Sequence, residues 1–372
     1  MALIKYTLGE LLIRNTESNE NSEYDATSVR GLLNSKGISN TKANIDGRDL
    51  KKFLVVRPGG FVFNHRVHDK LGLGYNTSNE VYLFTNDYVA FYIKPEIAGR
   101  VLLPDYLYMW FLRSEFDRYM LFKTYGSATL FFNWENMCEL EITLPDVLVQ
   151  QKYVDIYKAM IANQQSYERG LEDLKLVCDG YIEDLRRTIP GEKIGLYIQR
   201  HDVRNGKNGT KNVMGISTSK QFREPTSKVN KEELANYKVC KPRQIGFVQT
   251  THNEKVFTYA FNNTSEDIVI SSVNEVFSVQ EEKLYPEYLC MFFNRAEFDR
   301  YARFHSWGSA RETFTWNDLI EVEIPIPDLE VQRAIADVYV SYIKRKEINE
   351  RLKAQIKSIC PILIKGSLEE TK

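Results

Sequence analysis

The sequence has few cysteines, and none is placed to cross-link the chain or to hold a structural metal. Its five cysteines are odd in number, scattered, and never spaced as a C-x-x-C pair. That distribution argues against a disulfide framework and against a zinc site. His65 and His68 in HRVH have no supporting Cys, His or acidic cluster, so we predict no metal site. The cysteines are interpreted as small buried hydrophobic residues.

Long apolar runs are also missing. The N-terminal MALIKYTLGELL has a single Lys and no long apolar stretch, and no later window reaches the length that spans a membrane. We therefore expect a cytoplasmic chain with no membrane association. With 372 residues, 43% hydrophobic and 27% charged, it has room for two domains, each with its own core.

Sequence motifs of catalysis are absent as well. No aminomethylation tetrapeptide of the DPPY or NPPF type occurs, no glycine-rich cofactor fingerprint follows a predicted strand, and GISTSK at Gly215 lacks the second glycine of a phosphate-binding loop. The Pro-Asp pairs lack a following E-x-K at strand spacing. We predict no catalytic residue and no cofactor of its own, which disfavours a self-contained DNA-modifying enzyme.

Positive charge is concentrated in two segments, although the net charge is only -1. Residues 30–70 hold nine Lys/Arg against three Asp/Glu, and residues 196–228 hold seven against two. The rest of the chain carries 33 Lys/Arg against 45 Asp/Glu. Two basic segments in an otherwise acidic chain are typical of a polyanionic partner.

The chain repeats itself. Residues 104–150 and 286–332 align without a gap, with 24 identities in 47 positions. SEFDRYMLFKTYGSATLFFNW at Ser114 matches AEFDRYARFHSWGSARETFTW at Ala296. Upstream, LGELLIR echoes IGLYIQR, and VRGL echoes VMGI, with small gaps. The chain is therefore a tandem duplication. The N-terminal part of each copy, called its front, is variable, and the C-terminal part is more similar between the copies.

Each copy shows the same order of predicted elements. The front alternates apolar and β-branched residues between turns, as in KFLVVRPGGFVFN, which indicates strands. A helical segment begins at Pro104 or Pro286, because proline suits the first helical turn. The Phe and Tyr of the two FDRY segments alternate with charges on that helix and are assigned to the core.

A long helix with a heptad seam follows each copy. The predicted first seam is Tyr157, Met160, Gln164, Tyr167, Leu171, Leu174, Cys178, Tyr181 and Leu185. The second is Ile335, Val338, Tyr342, Leu352, Ile356, Ile359 and Leu363, with polar Arg345 and Asn349 between. Alternatively, each helix packs only on its own domain.

We predict an α+β fold with two duplicated mixed α/β domains separated by a pair of long antiparallel coiled-coil helices. Duplication implies a pseudo-twofold axis, so the second helix must run back toward the first copy. The predicted boundaries are 1–146 and 190–328 for the domains, and 147–189 and 329–372 for the helices. The first seam spans roughly 42 Å at 1.5 Å per residue, on the order of twelve base pairs of duplex DNA.

The sequence resembles the specificity (S) subunits of type I restriction-modification systems. The resemblance covers nearly the whole chain and is carried by the duplication, by ITLPD and IPIPD running into VQQK and LEVQRAI, and by ANIDGRDLKKFLVVRPGGFVFN. KLGLGYN in the first copy is interpreted as a glycine-rich loop, and the second copy has NEKVFTY in its place, which breaks the pattern.

The resemblance implies a sequence-specific DNA-binding subunit without catalytic activity. Each target recognition domain would bind one half of a bipartite double-stranded target, and the helices would set the spacer. Two methyltransferase (M) subunits, which use S-adenosylmethionine, would bind the helical region, joined by restriction and translocase (R) subunits. The alternative is a coiled-coil scaffold without DNA recognition, which needs no paired basic segments.

Candidate DNA-binding residues have the basic and amide side chains that bond phosphates and bases, and they lie in loops of the two fronts or in the glycine turns. In the first copy they are Lys36, Thr41, Lys42, Asn44, Arg48, Asn64, His65, Arg66 and Ser127. In the second they are Lys220, Arg223, Ser227, Lys228, Gln249, Thr250, Thr251, His252, Ser309 and Arg311. For each one, a solvated surface position is the alternative interpretation.

Overall fold

The computed structural model describes residues 3–67, 69–124, 130–207, 209–225, 229, 233–250, 256–307 and 312–371. The chain divides into two compact units. Unit 1 is Met1–Gln165 with Glu350–Lys372, and unit 2 is Ser166–Asn349. Each unit therefore combines one copy of the repeat with parts of both long helices.

Unit 1 begins with twelve short strands and four helices among its described residues. The strands are β1 (Ile4–Thr7), β2 (Leu12–Asn15), β3 (Arg30–Leu32), β4 (Ile38–Asn40), β5 (Leu54–Val56), β6 (Phe61–Asn64), β7 (Arg66–Val67), β8 (Leu73–Tyr75), β9 (Tyr82–Phe84), β10 (Tyr88–Ile93), β11 (Leu130–Phe131) and β12 (Glu141–Leu144). The helices are α1 (Leu8–Leu11), α2 (Pro104–Phe111), α3 (Ser114–Lys123) and α4 (Trp134–Cys138). The long helix α5 (Val147–Thr188) follows.

An antiparallel sheet in the order β2-β10-β6-β8 forms the centre of unit 1. Strand pairs β1-β12, β3-β4, β5-β9 and β7-β11 surround it. Phe61, Phe91 and Phe111, all fully buried, join the sheet to α2 in one aromatic cluster. This core holds the loops of the first front in place.

Unit 2 repeats this plan with ten strands and three short helices among its described residues. The strands are β13 (Gly191–Lys193), β14 (Ile198–His201), β15 (Gly215–Ile216), β16 (Phe222–Arg223), β17 (Lys238–Cys240), β18 (Ile245–Phe247), β19 (Tyr259–Phe261), β20 (Ile268–Ile270), β21 (Glu275–Val279) and β22 (Glu323–Pro325). The helices are α6 (Pro286–Phe293), α7 (Ala296–Phe304) and α8 (Trp316–Ile320). The last helix is α9 (Leu329–Glu369).

The sheet topology of unit 2 matches that of unit 1. Its central sheet has the order β14-β21-β18-β19, and pairs β13-β22, β15-β16 and β17-β20 surround it. Helices α2 and α6 both begin at the predicted proline, which stands at the first helical position. The duplication seen in the sequence is therefore a duplication of strand order and pairing.

Within unit 1, the first part of α5 and the last part of α9 pack antiparallel. Lys152 Nζ lies 2.8 Å from Glu370 Oε1, and Tyr157 contacts Cys360. Residue numbers therefore increase along α5 in the direction in which they decrease along α9. Gly366 permits the close approach, because a Cβ there would lie 3.1 Å from the Tyr153 ring. The side chain of Cys360 is part of the unit 1 core.

Within unit 2, the last part of α5 and the first part of α9 also pack antiparallel. Arg345 lies over the Tyr167 ring at 5.5 Å, while Cys178 shares a core cluster with Tyr339. The other predicted seam residues on both helices are buried or half-buried, with one exception. Tyr181 is 53% exposed, and its neighbour Ile182 is fully buried. The seam prediction is wrong there, because helical rotation brings residue 182 to the inner face.

No helix among the described residues combines the length and the apolar character needed to cross a bilayer.

Candidate nucleic-acid interface

The first basic loop is anchored by a lysine that points into the protein. Lys36 lies in the β3-β4 turn with φ +64°, and its side chain is only 4% exposed. Its ammonium lies 2.7 Å from Asp117 Oδ1 and donates a hydrogen bond of 2.5 Å to the Phe111 carbonyl. Burial lowers the pKa of Lys36, and the Asp117 carboxylate opposes that shift. Lys36 therefore ties the turn to α2 and α3.

The second basic loop has the same anchor. Lys220 has φ +63° in the β15-β16 turn and a side chain that is 7% exposed. Its ammonium lies 2.8 Å from Asp299 Oδ1 and donates to the Phe293 carbonyl at 2.7 Å. The prediction that Lys36 and Lys220 bind DNA is wrong, because both ammonium groups are buried in internal ion pairs.

The remaining candidates of the first loop lie between β4 and β5 and are accessible. Lys42, Asn44 and Arg48 are exposed, and Thr41 is half-buried. The Asn44 and Thr41 side chains accept hydrogen bonds from backbone amides two residues on, which shapes the loop. Within the described part of the chain, neither Lys42 nor Arg48 has a carboxylate partner at ion-pair distance, so their charges are available to a ligand.

In the second copy, Arg223 ends β16 and is exposed, with no ion pair to any described residue. Ser227 and Lys228 lie outside the described residues. The structure adds exposed basic residues that the sequence reasoning left out. They are Lys51 and Lys52 in the first copy, and Lys207 and Lys211 in the second. These lysines were already counted in the two basic segments of the sequence. The selection of candidates from the sequence covered only some of the loops and therefore left them out.

A second set of candidates lies at the end of β6 and the start of β7. Asn64 accepts a hydrogen bond from the Arg66 amide. The His65 ring stacks on Phe131 at 5.6 Å, and Arg66 lies 3.8 Å from the Asp87 carboxylate. Because β7 pairs with β11, these side chains lie beside the strand that follows the first glycine turn. Ser127 lies outside the described residues.

The corresponding region of unit 2 is only partly described. The Gln249 amide donates to Glu275 Oε1 at 2.9 Å, so its nitrogen is engaged inside the unit. Thr250 forms a β-bridge with Thr313, which repeats the β7-β11 contact. Thr251, His252, Ser309 and Arg311 lie outside the described residues.

Part of the basic excess is neutralised internally. Glu275 is 3% exposed and accepts from Arg200 at 2.6 Å and from buried Lys238 at 3.1 Å. In the first copy, Arg57 makes a bidentate pair with Glu17. The exposed cations without ion pairs in the described residues, rather than the total count, define the candidate interface.

Part of the glycine-rich segment KLGLGYN is a strand rather than a loop, contrary to the sequence interpretation. Leu73–Tyr75 forms β8 at the edge of the central sheet, where β19 lies in unit 2. Gly74 is required because a Cβ there would lie 2.5 Å from the Ile38 side chain of the β3-β4 hairpin. Asn76 and Asn262 make matching backbone hydrogen bonds after these strands. The segment therefore supports the hairpin.

Two buried glutamines were missed by the sequence reasoning. Gln150 accepts from the Leu103 amide and donates to the Val101 and Pro145 carbonyls. Gln332 makes the matching three bonds to Tyr285, Lys283 and Pro327. They join each long helix to the loop before α2 or α6. The repeated V-Q after each Pro-Asp was the available signal.

Comparison with known proteins assigns the second copy to a protein family. Residues 197–358 match the family described as the type I restriction modification DNA specificity domain. The chain carries a specificity domain of type I restriction-modification systems. The sequence-based identification is thereby confirmed, and the duplication of strand order extends the specificity-domain fold to the first copy.

A solved structure shows the same fold. The chain is similar to a type I restriction-modification S subunit from M. genitalium, with a TM-score of 0.61, 9% identity, and coverage of 99% of this chain and 96% of that one. It is also similar to the HsdS subunit from Thermoanaerobacter tengcongensis, with a TM-score of 0.43, 12% identity, and coverage of 100% and 97%. No curated protein matches the sequence.

Proposed function

We propose that this specificity chain binds a bipartite double-stranded DNA target, with one half-site contacted by each unit. The observation that carries the proposal is a shared buried framework beneath different exposed loops. The Lys36 and Lys220 anchors have matching partners, whereas the exposed residues of the two hairpins and following loops differ. Such an arrangement suits two related domains that bind different sequences.

The accessible cations supply the electrostatic part of binding. Lys42 and Arg48 in the first copy and Arg223 in the second suit phosphate contacts, and Arg and Asn side chains also hydrogen-bond guanine and adenine. The long helices would set the spacer between the half-sites. This role is proposed from their lengths of 42 and 41 residues.

The reaction chemistry is proposed to lie in partner subunits. No group of three His, Cys, Asp or Glu side chains in the described residues is arranged to hold a metal. Adenine methylation requires a flipped base in an enzyme pocket. We therefore propose two methyltransferase subunits, which bind S-adenosylmethionine, together with restriction and translocase subunits as partners. The chain itself needs no cofactor in this scheme.

A salt series tests the DNA proposal. The chain, in complex with its methyltransferase partner, is expected to bind duplex DNA with an affinity that falls steeply as salt rises, because each phosphate contact releases a counterion. Substitution of Lys42 and Arg48 by Gln is expected to reduce the slope of log affinity against log salt by about 0.9 for each lost contact. A salt-independent affinity would instead favour the scaffold alternative.

A methyl-transfer assay tests the assignment of chemistry. The purified chain with S-adenosylmethionine and duplex DNA is expected to give no methylated product until the methyltransferase subunit is added. Methyl transfer by the chain alone would contradict the proposal.

A further inference from the structure

Two phenylalanines at equivalent positions of the repeat lie almost fully in solvent. Phe122, near the end of α3, and Phe304, the last residue of α7, are each 81% exposed. No other large hydrophobic side chain in the described residues is as exposed. Trp307, three residues after Phe304, is 75% exposed. The most exposed aromatic side chains therefore occur at one matching place in each copy.

An arginine accompanies each phenylalanine on the same helix face. Arg118 and Arg300 precede the two phenylalanines by four residues, which is about one helical turn. Their side chains are 75% and 71% exposed, and each forms an exposed ion pair with the glutamate three residues before it, at 3.8 Å for Arg118–Glu115 and 2.9 Å for Arg300–Glu297. A phosphate can displace such a glutamate, because exposed ion pairs contribute little to stability. The Asp117 carboxylate points inward to Lys36 and the Asp299 carboxylate to Lys220.

The inward orientation of these aspartates removes one acidic side chain from the outer face of each helix. The acidic members of the two FDRY segments are neutralised in the interior, whereas the arginines stay at the surface beside the aromatic rings. Arg303 adds an exposed cation with no ion pair to any described residue. A cationic and aromatic surface is complementary to duplex DNA, which presents phosphates beside the apolar parts of sugars and base edges in its grooves.

In unit 2 this surface is continuous with a segment already considered for DNA contact. The Trp307 and Thr313 backbones exchange two hydrogen bonds, of 3.2 and 2.9 Å. Thr313 in turn forms a bridge with Thr250. The exposed Trp307 therefore pairs with the same residue, Thr313, that pairs with the candidate DNA-binding residue Thr250.

We propose that Phe122 with Arg118, and Phe304 with Arg300, form a DNA contact in each copy. The ring packs against a sugar or base edge in a groove, and the guanidinium neutralises a neighbouring phosphate. This inference rests on the proposed function, since it adds a contact to each half-site interaction. It commits to duplex DNA as the occupant.

Paired variants test the proposal in the complex with the methyltransferase partner. DNA binding is titrated over a salt series, with a duplex that carries the target sequence identified from methylated bases in cells. F122A and F304A are each expected to weaken binding about tenfold, because each removes the apolar area that the ring buries against a sugar or base edge. The salt slope should stay unchanged, because a phenyl ring displaces no counterion. R118Q and R300Q are expected to reduce that slope by about 0.9 each.

Val273→Ser is the matched control, since Val273 is 73% exposed in the same unit as Phe304. It should bind DNA as the wild type does, and all variants should keep the wild-type melting temperature. DNA affinity within twofold of wild type for both alanine variants would overturn the proposal. So would loss of methyltransferase assembly with unchanged DNA binding, which would identify a protein docking surface. A wild-type complex with no salt dependence would overturn the proposed function itself.

Discussion

At the residue scale, the two copies are built on buried charges that serve the fold. Asp117 and Asp299 hold a lysine ammonium in each copy, and in each case a backbone carbonyl completes the site. Removing one member of a buried pair leaves the other charge without compensation, which costs more than the pair contributes. The lysines therefore fix the loops from inside, while the exposed cations remain free for a ligand.

Lys36→Met should destabilise the protein by about 3–5 kcal/mol, because the Asp117 carboxylate would be left buried without its partner. Urea unfolding measures the change in the free energy of unfolding. The matched control is Lys42→Met on the same basic segment, which should stay within about 0.5 kcal/mol of wild type. Asp117→Leu added to Lys36→Met should recover most of the loss. Equal stability of the two lysine variants would contradict the anchor role.

The sequence indicated the exposure of Lys42 and Arg48 but not the burial of Lys36 and Lys220. A lysine in a basic loop has the same pattern whether its side chain points outward or inward. Its direction here is decided by a left-handed backbone conformation and by an aspartate from a distant helix. The only available signal was that both copies retain Ser-Lys in the loop and FDRY in the helix.

At the element scale, the apolar pattern of the long helices predicted most inward positions. It failed at Tyr181 because a heptad repeat assumes 3.5 residues per turn, whereas a straight helix has 3.6. The inner positions run Cys178, Ile182, Leu185 in the structure. Strand β8, which lies within KLGLGYN, was missed for another reason. Glycine is unusual in strands, and the side chain that packs over Gly74 comes from a separate hairpin.

Ile182→Ala should cost about 2–5 kcal/mol, because it removes a fully buried side chain from the unit 2 core. Tyr181→Ala, one residue earlier, should change the free energy of unfolding by less than about 0.5 kcal/mol. Thermal unfolding of the two variants in parallel makes the comparison. The opposite order of stability would restore the heptad seam through Tyr181.

At the scale of the whole molecule, the proposed spacer role depends on helix length. Deleting seven residues from each long helix removes about 10 Å of helical rise. We expect the spacer of the methylated target to shorten by about three base pairs. The target is found by sequencing methylated bases in cells that carry the full system. An unchanged spacer would contradict the role of the helices as a ruler.

The central claim is that each copy binds its own half of the target. The most direct measurement is methylated-base sequencing in cells whose chain has residues 190–328 replaced by residues 1–146. The account predicts a new target in which both halves carry the sequence that the first copy binds. Methylation that still occurs at the original pair of unequal half-sites would contradict it.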